Sequence, residues 1–354
     1  MINMAILLRT GTLFYATLKL TLIAMFSLSL NYAGNVSAGE EIACAGSEML
    51  GPLANNDPGT FKMLRKQASK ISYGNARLWK ISKSGVPSSW VFGTMHMADA
   101  RISELPQSVK AAYRQANTVL VEVTDMLDPD AAKSTIVKLK HLTFRLDGST
   151  IETDLTDDQL QKLKVAAKAR GLAYELAIRM QPWMLTPAIG NQLCEVAAKK
   201  HGKPFLDTKI MKLALEDGKQ LVALETTQEQ LTAIASMPRD FQIKALVETL
   251  ELGEKLDDIR QTIKRLYISG DIAMIVPALR HFTENQDTKQ DFNLFQEKLV
   301  IQRNFNMIKR ADAYFQKGGA FMAVGALHLP GKTGLISLLQ QRGYQVQAVE
   351  TPLF

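Results

Sequence analysis

Cysteine is nearly missing from this chain of 354 residues: only Cys44 and Cys194 occur, and no Cys-x-x-Cys pair suggests dithiol redox or zinc–thiolate chemistry. Aromatic residues make up 7%, and none of them is interleaved with a basic strip. A formal net charge of +7 therefore does not indicate a nucleic-acid partner. The charges are instead interspersed along helical segments such as KLKVAAKAR, as on a solvated surface. Beyond the N-terminus, no segment is long and apolar enough to span a bilayer. Histidine is also scarce, with five in all, so each one's position carries information.

An apolar run, Leu20–Leu30, follows a stretch containing Arg9 and Lys19 and no acidic residue. Small residues Val36-Ser37-Ala38 come next, so residues 1–38 read as an export signal cleaved after Ala38. The alternative is an uncleaved anchor, although the run is short beside the roughly 20 apolar residues a span needs. The expected location is periplasmic or extracellular. In an exported chain an even cysteine count points to a Cys44–Cys194 disulfide tying an N-terminal arm to a helix, the alternative being two buried thiols.

Residues 39–354 read as a single α/β domain. Strands are expected at 78–82, 88–94 and 118–123, and again at 320–326 and 344–350, so the sheet halves fall in 78–125 and 319–352. Between them, about 126–318 is mostly helical with one strand near 220–225. Thr156 and Gln159 form a capping-box pattern, with Gly171 as the stop. A helix opens at Ser103, another runs from Pro182 to about Lys200, and breaks fall near Gly270 and Pro277. The expected fold is a central mixed or parallel sheet built from the two ends of the chain, with a large helical insertion or cap between them.

Two strands end in the same way: Gly93-Thr-Met-His96 and Gly325-Ala-Leu-His328. Ligands of parallel-type sheets gather outside the carboxyl ends of the strands. Gly93 and Gly325 permit a sharp turn or a close approach there. Glu122 closes the neighbouring apolar run TVLVEV, where a carboxylate needs a partner or a changed proton affinity. Two imidazoles and a carboxylate could hold a divalent metal with a position left open for water. Alternatively each residue is structural, Glu122 pairing with Arg101 or Arg303. His141, His201 and His281 lie in charged helical surroundings and read as surface or capping residues.

The segment from LWKIS to TVLVEV, together with CAGSEML, MQPWM, KPFLDTKIMKLALEDGKQLVALETTQEQL, QRNFNMI and GALHLPGKTGLISLLQQRGYQV, resembles the TraB/GumN-like family, which includes the Tiki metalloproteases. The likeness runs in order through nearly all of residues 39–354. It implies an exported metal-dependent hydrolase, peptidase-like, with a fold similar to erythromycin esterase and ChaN-like haem-binding proteins. Its hallmark carries over onto Gly93–His96, Gly325–His328 and Glu122, and its polar positions onto Asp99, Arg101, Glu225, Arg303 and Asn304. One departure is Ala100, where a proline is expected.

On that resemblance His96, His328 and Glu122 are the metal ligands, for manganese, cobalt or zinc, with Glu122 also able to act as base. Arg303 is a catalytic candidate that binds a substrate carboxylate or oxyanion, or else pairs with Glu122 or Glu225. Asp99 is the expected orienter of His96. Asn304 hydrogen-bonds substrate or a strand-end carbonyl, and Glu225 lines the cleft or caps a helix beside Thr226. The expected substrate is a peptide or another small envelope molecule, and the oligomeric state is open. Two other readings stand beside this one. One is a metal-independent esterase-like hydrolase with His96 as general base and Glu122 orienting it; the other is an envelope protein that binds polysaccharide or peptide without turnover.

Overall fold

A computed structural model of the chain describes residues 44–97, 99–283 and 289–352. The expected signal segment and its cleavage point lie outside these residues.

Six strands form one mixed sheet: β1 Leu78–Lys83, β2 Val86–Thr94, β3 Thr118–Val121, β4 Gln220–Ala223, β5 Ala320–Gly325 and β6 Gln345–Val349. Their spatial order is β4-β3-β5-β2-β1-β6. The pairs β4–β3, β3–β5 and β5–β2 are parallel, whereas β1 runs antiparallel to both β2 and β6. The carboxyl ends of β2, β3, β4 and β5 therefore emerge along one edge. All six strands fall where hydrophobic alternation and turn residues place them, with β3 and β4 each ending two residues early.

Central position explains why β5 is apolar throughout. Every residue of Ala320–Gly325 is buried. Phe321 and Ala323 join one core, while Ala320, Met322 and Val324 join the other. Side chains of a strand alternate between faces, so covering both faces requires an unbroken apolar run. One face packs on helices Gln302–Lys317 and Leu335–Gln341 through Met307, Ile308, Ala311, Phe315, Ile336 and Leu339. Most of the intervening helical block packs against the other face, around Phe92, Val119 and Phe321.

Several helices depart from the sequence expectation. Ser103 does not open a helix: it ends the short helix Ala100–Ser103, and the expected helix starts instead at Gln107, with Pro106 as its N-cap. The helix from Pro182 ends at Gly190, and Leu193–Lys200 is a separate helix. Pro277 does not break the chain: Ile272–Phe282 continues through it. The Thr156–Gln159 capping box forms as expected, and Gly171 follows with a positive φ of 70°. A second capping box, Thr226 with Glu229, opens helix Thr227–Ala235.

Cys44 and Cys194 are disulfide-bonded, with their α-carbons 5.1 Å apart. This fastens the N-terminal arm to helix Leu193–Lys200. The arm also leans on helix Lys255–Ile268, where Ser47 N donates to Asp258 and Met49 N to Thr262. Among the described residues, no helix is long and apolar enough to cross a membrane.

Candidate active site

The two histidine loops leave adjacent parallel strands. Gly93 pairs with Val324 and Thr94 with Gly325, so the motifs lie one residue out of step. Neither glycine adopts a left-handed backbone; each is needed for close approach. A Cβ on Gly93 would sit 2.9 Å from the Ala326 backbone. One on Gly325 would sit 3.2 Å from Glu122 Oε1 and 3.5 Å from the His328 ring. The turn after β5 thus presses on β2, while the carboxylate after β3 reaches the base of the second histidine loop.

His328 is buried and its ring is fixed through Nδ1. Asn304 Nδ2 donates to the carbonyls of His328 and Thr333, at 3.2 and 2.9 Å. Its Oδ1, 2.6 Å from His328 Nδ1, is then an acceptor, so Nδ1 carries the proton and Nε2 the lone pair. Nε2 is buried with no hydrogen-bond partner. Burial first, and then the Arg303 guanidinium, push the His328 pKa down to about 3, which keeps the ring neutral.

His96 is backed differently. Its Nδ1 lies 2.8 Å from Asp207 Oδ2, an ion pair rather than an aligned hydrogen bond. Asp207 Oδ1 accepts from the Thr94 hydroxyl at 2.7 Å. Burial alone would lower the His96 pKa, but the charge of Asp207, its contact with the ring and the charge of Glu122 lift it to about 9.

Glu122 accepts three hydrogen bonds, which leaves one of its roughly four lone-pair sites open. Oε1 accepts from Gly325 N at 2.7 Å, and Oε2 accepts from Arg303 Nη2 at 2.7 Å and Gln230 Nε2 at 2.9 Å. Arg303 also makes a forked pair with Glu225, from Nε at 2.9 and 3.1 Å and from Nη2 at 2.6 Å. Gln230 links the two carboxylates through a 3.2 Å bond to Glu225. Burial would raise the Glu122 pKa, but Arg303, the two histidines and the Gly325 amide hold it far below the usual carboxylate range. A π-helical turn, Glu297–Ile301, directly precedes the helix that carries Arg303 and Asn304; such turns often mark functional sites.

The sequence-derived residues therefore divide. His96, Glu122, His328, Arg303, Asn304, Glu225, Gly93 and Gly325 all gather at the carboxyl edge of the sheet. Arg303 makes the ion pairs held open as its alternative role, with both glutamates at once, and Glu122 pairs with Arg303 rather than Arg101. Glu225 does not cap a helix; Thr226 does. Asp99 does not orient His96. It faces Arg101, at 2.8 Å, and the buried Lys264, at 3.1 Å, and Asp207 holds the histidine instead. Arg101 remains largely exposed. His141 and His201 are exposed, as expected. Asp207 and Gln230 escape the sequence reading, although both lie in KPFLDTKIMKLALEDGKQLVALETTQEQL. Asp207 has a legible signal, an acidic residue opening an apolar helix; Gln230 reads as an ordinary helical residue.

The donor types suit a divalent ion: two imidazoles, each held at Nδ1, and an ionised carboxylate. The partnerless Nε2 of His328 is the observation that most favours such a ligand. The ligand atoms of His96, Glu122 and His328 do not all lie within 4.8 Å of one another. Among the described residues, the group that does is Cys44, Cys194 and Glu195, whose two sulfurs are bonded to each other.

Fold and site together define an α/β protein with a histidine- and carboxylate-bearing centre at the carboxyl ends of its parallel strands. The sequence profile of the TraB/PrgY/gumN family matches residues 77–348, and the chain belongs to that family. It is 26% identical to metalloprotease TIKI2 of Danio rerio, the match covering 77% of this chain and 61% of the relative. Metalloprotease TIKI1 of Xenopus tropicalis is 27% identical, covering 83% and 64%, and that of Homo sapiens 27%, covering 82% and 65%. The match thus spans less than two thirds of each relative's length. No solved structure matches the chain.

Proposed function

We propose that the chain is an exported metal-dependent hydrolase that cleaves peptide bonds at the His96/Glu122/His328 edge. What carries the reading is the buried, partnerless Nε2 of His328, whose lone-pair tautomer is dictated by Asn304. The family relatives named as metalloproteases support the reaction class, and the disulfide suits an exported protein.

His96 and His328 would hold the ion through Nε2. Bound there, it would lower the pKa of water toward neutrality and supply hydroxide. Glu122 fits the role of third ligand better than that of base. A carboxylate held so far below its ordinary range is a poor proton acceptor, because general bases work best near the operating pH. Arg303 is occupied by Glu122 and Glu225, so it serves to hold the carboxylate in place rather than to bind a substrate carboxylate. Manganese, cobalt and zinc remain the candidate ions.

A metal-independent reading, with His96 as base, draws on its contact with Asp207. Against it, without a bound cation the charges of Asp207 and Glu122 favour the protonated ring, which cannot act as a base, whereas binding a metal ion would displace that proton from Nε2.

Equilibrium dialysis against manganese, cobalt or zinc should find about one ion per chain, lost in both His96→Ala and His328→Ala. Cleavage of an unstructured peptide should require the ion and disappear in Glu122→Gln. No uptake of any of the three ions, together with a melting temperature indifferent to them, would remove the metal from the reaction. Loss of binding in only one of the histidine variants would break the shared site.

A further inference from the structure

The helical insertion grips the first histidine loop with four side chains. From helix Leu206–Glu216 come Asp207, facing His96 and Thr94, and Lys209, which donates to the Ser103 carbonyl at 3.0 Å. From helix Lys255–Ile268 come Lys264, paired with Asp99, and Tyr267, which donates to the Gly93 carbonyl at 2.9 Å. Of these four, Asp207 is the one that touches the histidine ring itself.

We propose that Asp207 is a positioning residue: its carboxylate, 2.8 Å from His96 Nδ1, favours a proton on that nitrogen and so turns Nε2 toward the edge that His328 faces. The inference rests on the reading of His96 and His328 as a shared site, and it assigns to the insertion a direct part in building it.

Thr94 ends β2, two residues before His96, and its hydroxyl occupies Asp207 Oδ1 at 2.7 Å. That contact leaves Oδ2 to the imidazole and fixes the carboxylate against the strand from which the histidine hangs. Strand end, loop and helix thereby close a small ring of contacts through which His96 cannot rotate freely. Asp207 also lies in the first turn of its helix, where the backbone favours negative charge. On the opposite loop Asn304 plays the same part for His328, its amide nitrogen committed to two carbonyls so that only its oxygen can face the ring. Both histidines are thus held from behind at Nδ1, but by unlike groups. A carboxylate behind an imidazole makes it a stronger electron donor than an amide does, so His96 becomes the more basic of the two ligands. A carboxylate kept only to fasten the loop could be satisfied by hydroxyls and backbone amides; this one points one of its oxygens at the ring.

The test uses the full chain, first without metal and then with cobalt(II) alone. In the metal-free protein, proton NMR should show a downfield, slowly exchanging Nδ1 proton, assigned by its loss in His96→Gln. It should vanish in Asp207→Ala and move upfield in Asp207→Asn, where an acceptor remains without its charge. In cobalt titrations followed by visible absorption, Asp207→Ala should bind about 10–100-fold more weakly than the parent. Asp207→Asn should lie in between, and Asp154→Asn should match the parent. A folded Asp207→Ala with the parent's proton signal and cobalt affinity overturns the inference. Should the alanine variant fail to fold, Asp207→Asn decides, and parental values for both readouts overturn it equally. If the parent takes up no cobalt, the metal reading fails, and the positioning role then stands or falls on the proton signal alone.

Discussion

Arg303 carries the electrostatics of the site at the scale of single residues. It is the cation shared by two carboxylates, Glu122 and Glu225, all three largely removed from solvent. Burying ions is costly, and the arrangement persists because each acid also has a further donor, Gly325 N and Gln230 on Glu122 and Gln230 on Glu225. Removing the guanidinium would leave two buried negative charges facing each other. Arg303→Met is therefore expected to destabilise the chain by about 3–5 kcal/mol in urea unfolding. Arg303→Lys should restore little of this, since an ammonium cannot reproduce the fork onto Glu225 together with the bond to Glu122. A Met variant as stable as the parent would mean that the carboxylates take up protons instead.

Among elements, the decisive contact is the close passage of β2 beneath the turn that follows β5. Gly93→Ala places a methyl group against Ala326 backbone that cannot swing away. Overpacking of this kind costs about 1–3 kcal/mol, and it should displace both histidine loops at once. The expected result is a lower urea midpoint together with weaker uptake of divalent ions. Within the helical block, Asp154 at the end of the turn Ile151–Asp154 joins Arg145, at 2.9 Å, and Arg239, at 2.6 Å. Partial burial would raise its pKa, but the two guanidinium groups hold it below the ordinary carboxylate value. A carboxylate with a depressed folded-state pKa adds stability above its unfolded pKa, and that stability is lost as pH falls toward the folded value. Stability should therefore decline below about pH 4, and Asp154→Asn should flatten that acid limb. An acid limb of unchanged slope in the variant would show that these ion pairs add nothing.

For the molecule as a whole, the Cys44–Cys194 bond determines how the N-terminal arm is held. The bond spans a sequence separation of 150, and the arm it fastens lies on helix Lys255–Ile268, which supports the first histidine loop from behind. Reduction, or replacement of both cysteines by serine, is expected to cost about 2–5 kcal/mol and lower the melting temperature. Identical melts with and without reductant would show that the arm is held by its other contacts alone.

Much of this architecture is encoded locally. Six strands, two glycine–histidine turns and the Thr156–Gln159 cap follow from alternation, turn residues and spacing, because strand period and cap chemistry act over a few neighbours. His96, Glu122 and His328 can be singled out as residues that follow the carboxyl ends of apolar strands. What each of them touches cannot be read in the same way. That Asp207 rather than Asp99 stands behind His96, and that Arg303 is divided between Glu122 and Glu225, depends on helices remote in sequence docking on one edge of the sheet. A buried polar group takes whichever partner packing delivers, and nearness along the chain carries little weight in that choice. The sequence by itself determined which strands form and which residues stand at their ends. Tertiary packing alone decided how those residues are oriented and charged, because hydrogen bonds and ion pairs depend on distances that only the folded chain sets.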